Sequence, residues 1–152
     1  RGLTDMDRAL WSGWTIHVDG RAFYFAGDTG AFPGFLEIAR RLGPIDLAAL
    51  PIGAYEPREM MEPAHLTPEE ALDAAIELAA RRSVAMHFGT FDLTDEPIDE
   101  PPKRFAAASR SAGRGAEIDW ILRVGETRTF DRATDDLNRS AARVRPVSWQ
   151  SR

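Results

Sequence analysis

The chain has 152 residues, of which 43% are hydrophobic, and a formal net charge of -5. This length supports one hydrophobic core and argues against two independent domains. The acidic balance and the lack of a Lys/Arg-rich block disfavour nucleic acid as a partner. Because the chain contains no cysteine, a metal would need His, Asp or Glu ligands. No apolar run is long enough to span a membrane, and a cytoplasmic location is favoured.

A β-hairpin is predicted near the N-terminus by alternating apolar and polar residues. Its strands cover residues 14–18 and 22–26, on either side of the turn pair Asp19-Gly20. The second strand ends at Gly27-Asp28-Thr29-Gly30. Apolar residues then recur at helical spacing, which predicts a helix from Phe32 to Leu42.

The rest of the chain alternates further strands and helices. Thr67 precedes Pro68 and is followed three residues later by Glu70, which predicts a capped helix running to about Arg82. The other predicted elements are a strand over 47–52, loops over 53–63 and 92–102, a strand over 83–86, a helix over 103–111 and a hairpin of 119–124 with 127–130. Residues 1–130 are predicted to form one α/β region, and 131–152 a disordered tail.

Two polar residues follow apolar strands, where α/β folds gather functional groups. Asp28 is flanked by glycines, so the backbone can turn sharply and present a carboxylate, although an Asx turn explains the tetrapeptide as well. His87 suits a metal ligand or a histidine that is hydrogen-bonded to a backbone carbonyl.

The remaining candidates lie beside these strand ends. His65 precedes a helix N-terminus, where a protonated imidazole could help to hold a phosphate or simply pack under the cap. His17, on the polar face of the hairpin, is expected to face solvent. Soft and aromatic loop side chains fit either a site for acyl chains or ordinary packing: Met60, Met61, Phe91 and Leu93.

A series of motifs in fixed order makes the chain resemble a known family. The motifs are Gly27-Asp28-Thr29-Gly30, residues 43–58 (GPIDLAALPIGAYEPR), His65 with Pro68-Glu69-Glu70-Ala71, and His87-Phe88-Gly89-Thr90-Phe91. Over roughly residues 1–102 the chain resembles the N-acylphosphatidylethanolamine-hydrolysing phospholipase D group of the metallo-β-lactamase superfamily. The run from 43 to 58 is the most specific of these motifs.

The resemblance implies the C-terminal half of an αββα sandwich that holds two zinc ions. Asp28 resembles the bridging carboxylate, His87 a ligand of one ion, and His65 an active-site histidine beside the substrate phosphate. Tyr55, Met60 and Phe91 are expected to contact the substrate. The implied reaction is hydrolysis of a phosphodiester, which releases N-acylethanolamine from N-acylphosphatidylethanolamine during peripheral contact with a membrane surface.

One departure from the family is large, because its His-x-His-x-Asp-His motif is absent. The chain contains 3 histidines, which cannot complete two zinc shells. Since the chain starts at Arg1 rather than Met, we expect the missing ligands upstream. The chain alone should then be metal-poor and inactive, and it should expose an apolar sheet face. Two alternatives remain open, a hydrolase of this fold acting on a lactone or small phosphodiester, and a non-catalytic fragment.

Overall fold

A computed structural model describes residues 12–129 of the chain. In chain order the elements are β1 (Trp14–Val18), β2 (Arg21–Phe25), α1 (Phe35–Leu42), β3 (Leu47–Pro51), α2 (Arg58–Met61), α3 (Pro68–Glu77), β4 (Arg82–Met86), α4 (Glu100–Ser111) and β5 (Asp119–Trp120). The strands form one sheet in the order β1-β2-β3-β4-β5. This arrangement confirms the predicted α/β class. The tail predicted over 131–152 lies outside the described residues.

The sheet combines one antiparallel pair with three parallel pairs. β1 is antiparallel to β2, while β2–β3, β3–β4 and β4–β5 are parallel. The hairpin is confirmed, because Asp19 and Gly20 both have positive φ, of 49° and 71°, as a two-residue turn between twisted strands requires. No helix in the part described is long and apolar enough to cross a membrane.

Helix α3 begins as predicted and ends earlier. Thr67 is its N-cap, and the reciprocal hydrogen bonds with Glu70 form a capping box. The helix ends at Glu77, and Ala79 then takes a φ of 50°, so the chain turns before β4 begins. The prediction of a helix to about Arg82 is therefore too long by five residues.

Two other helices depart from the predicted boundaries. Helix α4 begins at Glu100 rather than at Lys103, because prolines are tolerated in a first turn whose N–H groups have no intrahelical acceptor. Helix α1 begins at Phe35, three residues after the predicted start, with Gly34 as its N-cap. Helix α2 lies inside the segment predicted as a loop.

The predicted last hairpin is wrong within the described residues. β5 pairs with β4 only through Ser83↔Asp119 and Val84↔Trp120, and residues 121–129 contain no strand. Among the described residues, 12–122 and 123–129 belong to two different units. Within the second unit, Glu126 N–H donates to the Arg123 carbonyl at 2.9 Å, which makes a local turn rather than a strand.

The hydrophobic core lies on the sheet face that the helices cover. Alternate residues of β2 point to this face, and α3 packs against β3, α1 and α4. Six of its buried side chains are Tyr24, Phe35, Ile45, Leu50, Leu72 and Phe105. Helix packing thus accounts for one face of the sheet only.

The opposite face of the β-hairpin is apolar and exposed. Trp14 of β1 lies opposite Phe25 of β2 and is 67% exposed, and Ile16 lies opposite Phe23. Val18 is also exposed. This is the face that a two-sheet sandwich would cover.

A buried polar cluster joins β4, α4 and β5. The Asp119 carboxylate accepts hydrogen bonds from the hydroxyls of Ser83 and Ser109, both at 2.7 Å. It also accepts two from the Arg114 guanidinium, at 2.9 Å from Nε and 2.9 Å from Nη2. Asp119 is only 3% exposed. Because every partner is satisfied, the carboxylate can be buried as a charge.

We expect Asp119→Ala to lower the free energy of unfolding by about 3 kcal/mol, because Arg114 loses its ion partner and two hydroxyls lose their acceptor. Urea denaturation measures this change. Asp99→Ala is the matched control, since Asp99 pairs with Lys103 on the exposed surface of α4 and its loss should matter far less. Equal losses in the two variants would contradict a structural role for the buried cluster.

Candidate functional site

The three polar residues predicted near strand and helix ends lie together. Asp28 follows β2, His87 follows β4, and His65 precedes the N-cap of α3. The distance from His87 Nε2 to Asp28 Oδ1 is 3.4 Å. The imidazole rings of His65 and His87 are stacked, with centroids 5.4 Å apart and an interplanar angle of 28°. Because β2, β3 and β4 are parallel, their carboxyl ends meet at one edge of the sheet.

Close backbone contacts hold the loops of this edge in place. Gly53 follows β3, and a Cβ atom there would lie 2.4 Å from the His87 carbonyl oxygen. A Cβ atom at Gly30 would lie 2.5 Å from the Glu62 carbonyl oxygen. His87 itself has a positive φ of 60°, which is uncommon for a residue with a side chain. Only glycine permits these approaches, so the loops carrying Asp28 and His87 are fixed by their backbones.

The spacing of Asp28 and His87 would allow both side chains to bind one metal ion. Their separation of 3.4 Å exceeds ordinary hydrogen-bond lengths. An oxygen and a nitrogen that each lie about 2.0 Å from a tetrahedral ion are about 3.3 Å apart. Among residues 12–129, no group of three or more His, Cys, Asp or Glu side chains could hold a metal. The described residues therefore offer two donors, and Asp28, whose side chain is 65% exposed, leaves space for others.

His65 occupies a drier environment than the sequence suggests. Its Nδ1 is buried without a hydrogen-bond partner among the described residues. Burial and then the neighbouring His87 lower the pKa of His65, against the opposing effects of Asp28 and Glu96. This environment favours the neutral imidazole near pH 7, whereas the sequence suggested a protonated one. A neutral ring has one N–H donor and one acceptor.

A cavity of about 310 Å³ opens beside His87. Its lining includes Ile98, Phe91 and Leu93. Phe91 is 75% exposed and Leu93 is 79% exposed. Met60 is exposed on α2 and does not belong to this lining. Of the side chains predicted to suit acyl chains, the cavity thus brings Phe91 and Leu93 next to the site.

Tyr55, predicted as a substrate contact, lies in the packed interior. It is fully buried, and its hydroxyl donates to Glu100 Oε1 at 2.8 Å. Burial first, and then the hydrogen bond with Glu100, raise the pKa of Tyr55. The Arg104 guanidinium lies over its ring, 4.7 Å from the centroid. Because Tyr55 has no accessible surface, it packs between its loop and α4 and is not placed to contact a substrate.

Glu96, which the sequence analysis did not identify, holds a loop of the site. Its two carboxylate oxygens accept from the backbone N–H groups of Ala54 at 2.6 Å and Glu56 at 3.1 Å. Burial opposes its ionisation, but these bonds, together with those from its own N–H and the Thr94 side chain, lower the pKa of Glu96. The carboxylate thereby fixes the loop that begins at Gly53, against which the His87 backbone packs.

A family model supplies the classification. The β-lactamase superfamily domain model matches residues 1–88. The chain belongs to the β-lactamase superfamily. This confirms the superfamily and the fold class predicted from the sequence, and it makes the chain part of a family of metal-dependent hydrolases.

Relatives within the superfamily agree with this classification. The chain is 48% identical over 103 residues to N-acyl-phosphatidylethanolamine-hydrolyzing phospholipase D 1 of Caenorhabditis elegans, covering 66% of the chain and 29% of that protein. It is 36% identical over 115 residues to a metal-dependent hydrolase of Pelotomaculum thermopropionicum, covering 76% and 44%. The fold matches a metallo hydrolase of Ignicoccus hospitalis with a TM-score of 0.63 and 31% identity, covering 83% and 48%. The chain thus spans less than half the length of each.

We expect Glu96→Gln to destabilise the chain near neutral pH, because an amide cannot accept both backbone N–H groups through its two ends. The pKa of Glu96 in the folded state lies below its ordinary value of 4.5. The stabilisation is therefore present above that value and is lost as pH falls through the folded pKa. Urea denaturation from pH 7 to pH 3 should show the difference from wild type shrinking with acid.

Glu77→Gln, on an exposed position of α3, is the control for the amide substitution itself. It should change the unfolding free energy much less than Glu96→Gln does at pH 7. A Glu96→Gln penalty that is constant across this pH range would show that the carboxylate charge is not what holds the loop.

Proposed function

We propose that this chain forms part of a zinc-dependent phosphodiester hydrolase of the phospholipase D type, which releases N-acylethanolamine from N-acylphosphatidylethanolamine. The observation that carries the proposal is the 3.4 Å approach of His87 Nε2 to Asp28 Oδ1, with His65 stacked on His87. The substrate class is supported by the 48% identity to a phospholipase that carries this activity in its name.

Asp28 and His87 would hold the metal in this proposal. Asp28 supplies a carboxylate that can bridge two cations, and His87 supplies an imidazole nitrogen to one of them. When bound, paired zinc ions provide hydroxide near neutral pH and stabilise charge on a phosphoryl group. The remaining ligands would come from outside residues 12–129, since that part of the chain contains no complete ligand group.

His65 would act toward the substrate rather than the metal. In the neutral form that its surroundings favour, it offers one N–H donor to a phosphate oxygen. Its ring is stacked on that of the proposed metal ligand His87, with 5.4 Å between the centroids. A donor fixed before the substrate arrives needs little reorganisation as negative charge develops.

The cavity beside His87 would receive the apolar part of the lipid. Phe91 and Leu93 combine high exposure with a place on its wall. Exposed apolar side chains at the mouth of a cavity also suit peripheral contact with a membrane surface, from which a lipid must be drawn. We propose such contact at the loop that holds Phe91 and Leu93, with the protein in the cytoplasm at the membrane surface.

We expect Asp28→Asn to abolish both zinc binding and turnover, because a neutral amide is a poor bridge between cations. His65→Ala should lower turnover while leaving zinc content nearly unchanged. Zinc is measured by elemental analysis after dialysis, in the 152-residue chain and in the same chain extended by the residues preceding Arg1 in its reading frame. His17→Ala, on the exposed strand β1, is the matched histidine control. Loss of stoichiometric zinc in His65→Ala would make that residue a ligand.

Product analysis tests the substrate class. The zinc-loaded extended protein should release N-acylethanolamine from N-acylphosphatidylethanolamine faster than it opens a lactone. Leu93→Ala should slow hydrolysis of the lipid but leave a small phosphodiester such as bis-p-nitrophenyl phosphate unaffected, because the small substrate does not fill the cavity. Met60→Ala, exposed but outside the cavity lining, is the control. Faster lactone opening would favour the alternative hydrolase.

A further inference from the structure

The backbone of His65 is held on both sides by one short helix. Its N–H donates to the Met61 carbonyl at 2.9 Å. Its own carbonyl accepts a hydrogen bond from Arg58 Nη1, also at 2.9 Å. Arg58 and Met61 are the first and last residues of α2. The four-residue helix α2 therefore binds both the N–H and the carbonyl group of His65.

The second arm of the Arg58 guanidinium connects this contact to the start of α3. Arg58 Nη2 donates to Glu70 Oε1 at 2.5 Å. The other oxygen of Glu70 accepts from the Thr67 N–H at 2.8 Å, as part of the capping box. One guanidinium thus connects His65, two residues before the N-cap, to the Glu70 carboxylate that completes the capping box. His65 and Thr67 flank a single residue, Leu66, which is fully buried.

The chemistry of this contact requires arginine. The planar guanidinium sends N–H groups from two nitrogens in fixed directions to two different acceptors, whereas a lysine ammonium carries all its donors on one nitrogen. The Arg58 side chain is 26% exposed and that of Glu70 is 30% exposed, so both are partly shielded from water. One arm ends on the neutral carbonyl of His65, where it makes a charge-assisted hydrogen bond that is not an ion pair and that fixes the position of this backbone group.

Arg104, which belongs to α4, makes a comparable fork to Glu69 in the first turn of α3. It donates to Glu69 through Nε and Nη2 and to Glu100 through Nη1, and its side chain is 34% exposed. Glu69 is the sequence neighbour of Glu70. Within the described residues, the side-chain hydrogen bonds of Arg104 go to Glu69 and Glu100 and not to His65. Arg104 therefore has similar ion pairs and exposure but lacks the contact with the candidate site.

We propose that Arg58 is a positioning residue that sets the place of His65 beside His87, through its fork between the His65 carbonyl and Glu70. The proposal rests on the proposed function for the consequence in turnover, but the placement of His65 is independent of it. Loss of the fork frees the His65 carbonyl and loosens the segment before the α3 cap. The imidazole of His65 then becomes more accessible, and it leaves the geometry that substrate binding would need.

Arg58→Met, Arg58→Lys and Arg104→Met test this in the full 152-residue chain. Methionine keeps much of the apolar stem and removes the fork, and lysine keeps the charge. Each variant is treated briefly with diethylpyrocarbonate, and the modification rate of each histidine is measured by mass spectrometry. His17, exposed on β1, is the internal reference. Thermal midpoints are recorded in parallel, and turnover of N-acylphosphatidylethanolamine is measured in the zinc-loaded extended protein.

In Arg58→Met we expect His65 to be modified several-fold faster relative to His17, with Arg58→Lys intermediate and Arg104→Met like wild type. Turnover should fall in Arg58→Met by about tenfold to a hundredfold, mostly in kcat, because displacement of a group by about 1 Å has effects of this size. Arg104→Met should keep wild-type turnover. If Arg58→Met does not fold, Arg58→Lys decides the question by the same ratio of His65 to His17.

Unchanged labelling of His65 in the Arg58 variants would overturn the inference. So would an equal rise in Arg104→Met, because general loosening of α3 would then explain it. If the wild-type protein hydrolyses no phospholipid, the proposed function fails, while the labelling ratio still decides whether Arg58 positions His65.

Discussion

Parallel pairing of β2, β3 and β4 is the constraint on which the candidate site depends. Parallel strands begin at one edge of a sheet and end at the other, so the residues that follow them meet in space. Asp28 and His87 come from the two strands that flank β3, and the loop after β3 lies between them. Reversing any one of these strands would place its polar residue at the opposite edge.

Backbone contacts then convert proximity into a fixed geometry. Gly53 lets the loop after β3 rest on the His87 carbonyl, and Glu96 holds that loop through two amide groups. His65 is positioned differently, because contacts with α2 and with the start of α3 hold its backbone where its ring stacks on that of His87. The Glu96 carboxylate, the close approach at Gly53 and the hydrogen bonds of α2 therefore all contribute to the geometry of the site.

The sequence predicted the parts of the site that lie at regular strand ends. Asp28 and His87 follow clear apolar runs, and the capping box at Thr67 marks the start of α3 next to His65. It missed α2, because four residues cannot show helical periodicity and the N-cap Pro57 offers no side-chain cap. The sequence analysis also missed Glu96, whose hydrogen-bond donors are the backbone N–H groups of Glu56 and Ala54, 40 and 42 positions away, a pairing that no local pattern encodes.

The Asp119 cluster and the candidate site lie at opposite ends of β4. Ser83 lies near the start of β4 and His87 just past its end, roughly 13 Å apart along the strand. Groups separated by more than about 10 Å without shared partners act nearly additively. The end of β4 that holds Asp119 can therefore accumulate stabilising or destabilising changes while the end beside Asp28 and His87 keeps its geometry, so fold stability and the geometry of the candidate site can change independently of each other.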